Sequence, residues 1–176
     1  SPEFLKATQK RVNDIRMDAQ ELCLRFIAFY SRYDSVTHIL TDLEKIGIML
    51  DKCIETLNQS TEQERNSISS AFKESMAKCA ALFGKKAFTK PPKESLINKV
   101  LFTSWAVVLT GYSCSTEKLQ SLQSKAVECL QNRLNSDSEY LMSVTSSTGT
   151  KASIKKQFET ANQIMEELLN AEPSSN

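Results

Sequence analysis

Asp18-Ala19-Gln20-Glu21-Leu22-Cys23-Leu24-Arg25-Phe26-Ile27-Ala28-Phe29-Tyr30 decides how the rest of this chain is read. Asp18 and Glu21 stand three residues apart, a capping-box-like start, and an almost unbroken apolar run follows them. A helix that is apolar nearly all round belongs inside a bundle. Arg25 is the exception. A permanently charged guanidinium on such a helix must find carboxylates or carbonyls, and Glu21, four residues earlier, is its nearest supply, with Asp14 and Asp18 close by.

Working outward, the pattern stays helical. Leu43, Ile46, Leu50, Cys53 and Leu57 alternate three and four apart, which predicts a helix from about Ile39 to Leu57. Thr61 and Glu64 cap the next one, whose Ile68, Phe72, Ser75, Cys79 and Leu82 share a face before Gly84 stops it; these two helices are expected to form an antiparallel hairpin. Pro91-Pro92 marks a loop over Lys85 to Glu94. A second central helix is expected from about Leu96 to Thr110, around Trp105. Then come a helix begun near Ser115 (Leu119, Leu122, Ala126, Leu130, Arg133), a short one from Asp137 to Val144 opened by Ser136 and Glu139, and a last one carrying Ile154, Phe158, Ala161, Met165 and Leu168. The expected fold is all-α: a single irregular bundle of about six to seven helices over residues 5–170. Ser1-Pro2-Glu3-Phe4 reads as a cloning remnant set outside the fold, and 171–176 as a disordered tail. The polar, basic opening from Leu5 to Arg16, without an initiator methionine, is what an excised C-terminal part of a longer protein would show.

Composition narrows the function classes. The chain has 176 residues, 40% hydrophobic and 24% charged, which suits one ordinary globular core. Lys plus Arg number 22 against 21 Asp plus Glu, so no overall field favours a polyanion. The longest apolar run, Val100 to Leu109, is interrupted by Thr103 and Ser104 and is shorter than the ~20 residues that span a bilayer. No leader-like segment opens the sequence, and Cys23, Cys53, Cys79, Cys114 and Cys129 are odd in number and widely spaced, which speaks for free thiols and a cytoplasmic protein. His38, the lone histidine, is expected at the surface, and with it no zinc-protease pattern can be built. Phosphate-cradling glycine loops and nucleophile elbows are missing too. The reading is non-enzymatic, with no catalytic residue, no metal and no cofactor.

Three local features remain as candidates. Lys6, Lys10, Arg11 and Arg16 form one basic segment, and Lys85, Lys86, Lys90, Lys93 and Lys99 form another around the proline loop; either could contact nucleic-acid phosphates. Thr148-Gly149-Thr150-Lys151 opens the last helix, where free backbone donors could hold an anion, although ordinary N-capping is the plainer explanation of these residues. Arg11, Asp14, Arg16, Asp18, Glu21 and Arg25 are candidates for a domain interface or an internal ion-pair set.

The run Arg11-Val12-Asn13-Asp14-Ile15-Arg16-Met17 leading into Asp18 to Tyr30 resembles a segment just after the nuclease-like core of proteins in the domain of unknown function 262 family. Phe83-Gly84-Lys85-Lys86-Ala87-Phe88, Asn98-Lys99-Val100-Leu101-Phe102 and Lys155-Lys156-Gln157-Phe158 are similar to the helical tail of those proteins. The family has a ParB-like N-terminal domain, and its members include modification-dependent restriction and antiphage systems. The resemblance implies a C-terminal helical domain of a bacterial-type protein whose Asp-Gly-Gln-Gln-Arg motif lies upstream. There is no Asp-Gly step here and no sign of an HNH tail, so the family's nuclease or nucleotide-hydrolysing chemistry maps onto no residue of this chain. The implied partner is the protein's own N-terminal ParB-like domain, contacted through the charged positions from Arg11 to Arg25. The alternative is DNA, through residues 6–16 and 85–99.

Overall fold

In the computed structural model, which describes residues 1–12, 18–90 and 96–170, nearly every ordered element is a helix. The two most apolar runs lie at the centre. Helix α2 (Asp18–Tyr30) buries Leu22, Phe26, Ala28 and Phe29, and packs against α5 (Lys99–Val108). Every residue of α5 from Leu101 to Val108 is buried. Its two hydroxyls survive there because they bond back into their own helix: Thr103 Oγ1 donates to the Lys99 carbonyl at 2.7 Å and Ser104 Oγ to that of Val100 at 3.0 Å. Asn98, not Leu96, starts α5. Its side-chain oxygen accepts from the Val100 and Leu101 amides at 2.9 and 3.0 Å, and Leu96 stays 60% exposed.

A 3-10 turn, Leu109–Gly111, ends α5 and receives a cation that the apolar periodicity does not reveal. Lys78, on α4 (Glu62–Phe83), is buried; its ammonium donates to the carbonyl of Tyr112 at 2.8 Å and reaches that of Leu109 at 3.4 Å, while Glu74 pairs with it at 2.7 Å. A positive charge at the carbonyl end of a helix is favoured by both hydrogen bonding and the dipole. Helix α4 starts as the sequence predicts, with Thr61 and Glu64 in a complete capping box, and stops at Gly84 with φ of 52°. Gly84 also lies under Gln123, whose Nε2 would meet an added Cβ at 2.8 Å.

Other expectations need correction. Ser1 to Phe4 do not stand apart from the fold: Pro2–Ala7 forms α1, and the buried Phe4 ring lies 5.9 Å from that of Phe72 and 6.0 Å from that of Phe102. The helix expected from Ile39 begins only at Ile46 (α3, Ile46–Gln59). Before it, β1 (Tyr33–Asp34) pairs antiparallel with β2 (Ile39–Leu40), because the Asp34 carboxylate accepts from the Val36 and Thr37 amides at 2.8 and 3.2 Å and folds the chain into a turn. Helix α3 then packs on α2, and α4 packs on α1, α5, α6 and α7, so α3 and α4 splay instead of forming the expected hairpin.

The helix begun at Ser115 is two, α6 (Thr116–Ser121) and α7 (Gln123–Ser136), broken at Leu122; its buried face ends on Leu134, while Arg133 pairs with Glu167. Asp137 rather than Ser136 caps α8 (Ser138–Thr145), accepting from the Tyr140 amide at 2.9 Å. Helix α9 (Lys151–Asn170) completes a core that runs without interruption from Phe4 to Leu168. The all-α bundle stands, with nine helices among the described residues where six to seven were expected. The tail at 171–176 lies outside the described residues.

Candidate functional site

The interface candidates divide in three. Asp18, Glu21 and Arg25 converge on the first turns of α2. Arg25 Nε donates to Glu21 Oε1 at 2.8 Å, and Lys99, from the first position of α5, reaches Glu21 Oε2 at 2.5 Å and Asp18 Oδ1 at 2.9 Å. This alternating cluster clamps the two central helices together. Burial pushes the Glu21 carboxyl up, but the hydrogen bonds from Lys99 and Arg25 outweigh it and hold the group below its ordinary value. Arg11 goes elsewhere, its Nη2 donating to the Lys85 carbonyl at 2.8 Å. Asp14 and Arg16 lie outside the described residues.

The nucleic-acid candidates fare unevenly. Lys99 is removed from the set, since both of its neighbours at the α2–α5 junction are carboxylates. The Arg11–Lys85 bond brings the two basic segments side by side, with Lys10 and Lys85 exposed and Lys86 and Lys90 half-buried; Lys6 is exposed on α1. Lys93 lies outside the described residues. At the start of α9, Thr150 Oγ1 accepts from the Ser153 amide at 3.1 Å, and the Thr148 carbonyl accepts from Gln157 Nε2 at 3.1 Å. Thr148 to Lys151 thus work as a cap and a tie, with Gly149 and Lys151 exposed.

His38 is not a free surface residue. It is half-buried, with its ring stacked on Tyr112 at 4.6 Å, in a cluster that sews the hairpin to α9. Tyr33 Oη donates to Asn162 Oδ1 at 2.8 Å and lies 3.0 Å from His38 Nδ1. Asn162 Nδ2 returns a bond to the His38 carbonyl at 3.1 Å, and Tyr112 Oη lies 3.3 Å from Asn162 Oδ1. Gly111 permits the approach: a Cβ there would meet His38 Nδ1 at 3.0 Å and Tyr33 Cε1 at 3.1 Å. Burial, with the Glu166 carboxylate behind it, pushes the Tyr112 phenol up to about 12. Burial pushes the Tyr33 phenol up as well, so both phenols stay protonated and serve as struts. Asn162, with its polar neighbours Gln157 and Thr160 on the buried face of α9, carries no motif that a reading of apolar spacing would flag.

A cleft of about 630 Å³ opens between α2, α3 and α4 where the last two splay, lined by Ile27, Arg32, Lys52, Cys53, Leu57 and Ile68 among others. A smaller apolar extension of about 200 Å³ continues past Ile27, Leu57 and Ile68 to Cys23, Arg65 and Phe72. Among the described residues, no group of three His, Cys, Asp or Glu side chains is placed to hold a metal ion, and no helix is long and apolar enough to cross a membrane. Comparison with family models, with curated proteins and with solved structures finds no match for the chain.

Proposed function

We propose that the chain is a non-catalytic helical interaction or scaffold domain, C-terminal to a ParB-like nuclease-type domain in a bacterial protein of the domain of unknown function 262 family, serving DNA restriction or phage defence. The supporting observation is what the residues behind that resemblance do. Phe83 packs edge-on against Trp105 at 4.6 Å, Gly84 ends α4, and Phe88 meets Phe102 at 4.8 Å. Asn98 caps α5 and donates to the Val144 carbonyl at 2.9 Å; Lys99 bridges Asp18 and Glu21. Lys156 pairs with Asp137 at 2.8 Å, Gln157 donates to the Ser143 carbonyl at 2.7 Å, and Phe158 stacks on Phe29 at 5.5 Å. These residues cap, clamp and fill the core, the duty of a framework.

The test is to purify the chain and assay nucleotide and DNA hydrolysis with magnesium, manganese and zinc, and to measure its association with the separately made upstream domain. The expected outcome is no turnover and measurable binding. Turnover above a mock preparation, abolished by one carboxylate substitution in this chain, refutes the reading. The juxtaposition of Lys10, Arg11 and Lys85 favours a second reading, direct contact with DNA phosphates. In that case duplex binding falls steeply with salt and Lys10→Ala with Lys85→Ala flattens the salt slope by about two; binding with no salt dependence excludes it.

A further inference from the structure

Helices α3 and α4 are consecutive and joined through Ser60 and Thr61, a connection that normally lets two helices pack along each other. Here they part, and the gap between them is floored by an apolar strip that the bundle does not cover. Cys23, Ile27, Leu57, Ile68 and Phe72 are each half-buried, and Leu57 and Ile68 stand outside the main core. From Cys23 to Tyr30 the groove follows α2 for about 10 Å at the helical rise, and it ends at Arg32 in the turn beyond.

Two guanidinium groups flank the strip, and neither has a carboxylate partner among the described residues. Arg32, in the turn after α2, uses only Nη1, donating to the Ala28 carbonyl at 2.7 Å and to Ser31 Oγ at 3.3 Å. Its Nε is shielded from solvent with no acceptor, so the Nε–Nη2 edge, the one that matches a carboxylate in two parallel bonds, is unfilled. Arg65 donates only to neutral oxygens, the hydroxyl and carbonyl of Ser60 at 3.0 and 2.8 Å. Of the other charges at the groove, Glu44 is paired with Lys52 at 2.7 Å and only feels the charge of Arg32, Glu64 is folded back onto Thr61 at 2.7 and 2.8 Å as a cap, and Asp42 lines the cleft without an ion pair to Arg32.

We propose that this groove takes an amphipathic helix of a protein partner, apolar on one face and carrying carboxylates beside it, which fills the place between α3 and α4, closes the open fork of Arg32 and pairs with the charge of Arg65. The apolar strip supplies the burial and the two arginines the orientation and the preference for acid. The inference rests on the interaction-domain reading but names a surface of its own, away from the Asp18–Glu21–Arg25–Lys99 cluster.

The experiment pans the whole chain against a displayed library of helical peptides of about 15 residues, long enough to cover the groove. Enrichment of peptides with one apolar face flanked by Glu or Asp is expected, and at least a tenfold loss of their binding, roughly, in an Arg32→Gln, Arg65→Gln double variant. Circular dichroism establishes that the variant is folded. The bound peptide should also shield Cys23 from alkylation while Cys114 and Cys129, outside the groove, react as before. Absence of enrichment, enrichment of basic or uncharged helices, unchanged binding by the double variant, or an unshielded Cys23 overturns the proposal. So does a concentration-dependent self-association that shields Cys23 without peptide, since the occupant is then a second copy. If the peptides fail while the upstream domain still binds, only the groove assignment falls.

Discussion

Replacing Trp105 by alanine tests the packing at the centre of the bundle. The side chain is 1% exposed, on a helix buried over eight consecutive residues, and its ring meets that of Phe83 edge-on with centroids 4.6 Å apart. Its indole N–H approaches the Tyr140 hydroxyl without forming a bond of normal geometry, so the substitution removes packing and deletes no hydrogen bond. Emptying a site of this kind costs about 3 to 5 kcal/mol. For a chain of this length each kcal/mol lowers the melting temperature by about 2 to 4 °C, which puts the expected drop at about 6 to 20 °C. Because Trp105 is the sole tryptophan, its loss removes the fluorescence signal, and melting must be followed by far-ultraviolet circular dichroism. Trp105→Phe, which keeps a ring against Phe83, should lose less, and Leu96→Ala, at an exposed position, should stay within about 0.5 kcal/mol of wild type. A loss below about 1 kcal/mol for Trp105→Ala, or one equal to that of Leu96→Ala, refutes the central placement of α5.

Three further outcomes follow from side chains already described. Tyr140 is buried with its hydroxyl unpartnered, so Tyr140→Phe is expected to be neutral or stabilising, whereas Tyr33→Phe, which leaves Asn162 and His38 short of a partner, should cost about 1 to 3 kcal/mol; chemical denaturation separates them, and a reversed order sinks the assignment. Glu21 has a folded-state pKa below its ordinary value, so its contribution is present above that value, 4.5, and is lost as pH falls through the folded pKa. Glu21→Gln should therefore melt lower than wild type at neutral pH, by no more than about 1 kcal/mol given its partial exposure, and the two should converge in acid; a gap that widens on acidification contradicts the ion cluster. Burial pushes the Cys79 thiol far above its ordinary value, so Cys79 should resist alkylation in the native protein and react only on unfolding, as peptide mapping by mass spectrometry can show.

Periodicity alone carried the helix class, the two central helices and the Arg25–Glu21 pair, because each is a local matter: apolar spacing selects a face, and a charge four residues from its opposite has a partner within its own helix. It carried the Thr61 capping box and the Gly84 stop for the same reason. What only the tertiary structure decided are the relations between distant residues. Lys99 read as part of a basic segment open to phosphates and proved to be a bridge to Asp18 and Glu21, some eighty positions away in sequence. His38 read as a surface residue and proved to be stacked on Tyr112 and tied to Asn162, since the Asp34 turn folds the chain back where a helix start was expected. Phe4 read as foreign to the fold and proved to be core, because a neighbouring Phe72 and Phe102 offer it an apolar seat that no local pattern announces. The splay of α3 from α4 belongs to the same kind: their sequence says how each begins and ends, but which neighbour each packs on depends on the apolar surface presented by α2 and α5, and that choice opened the groove.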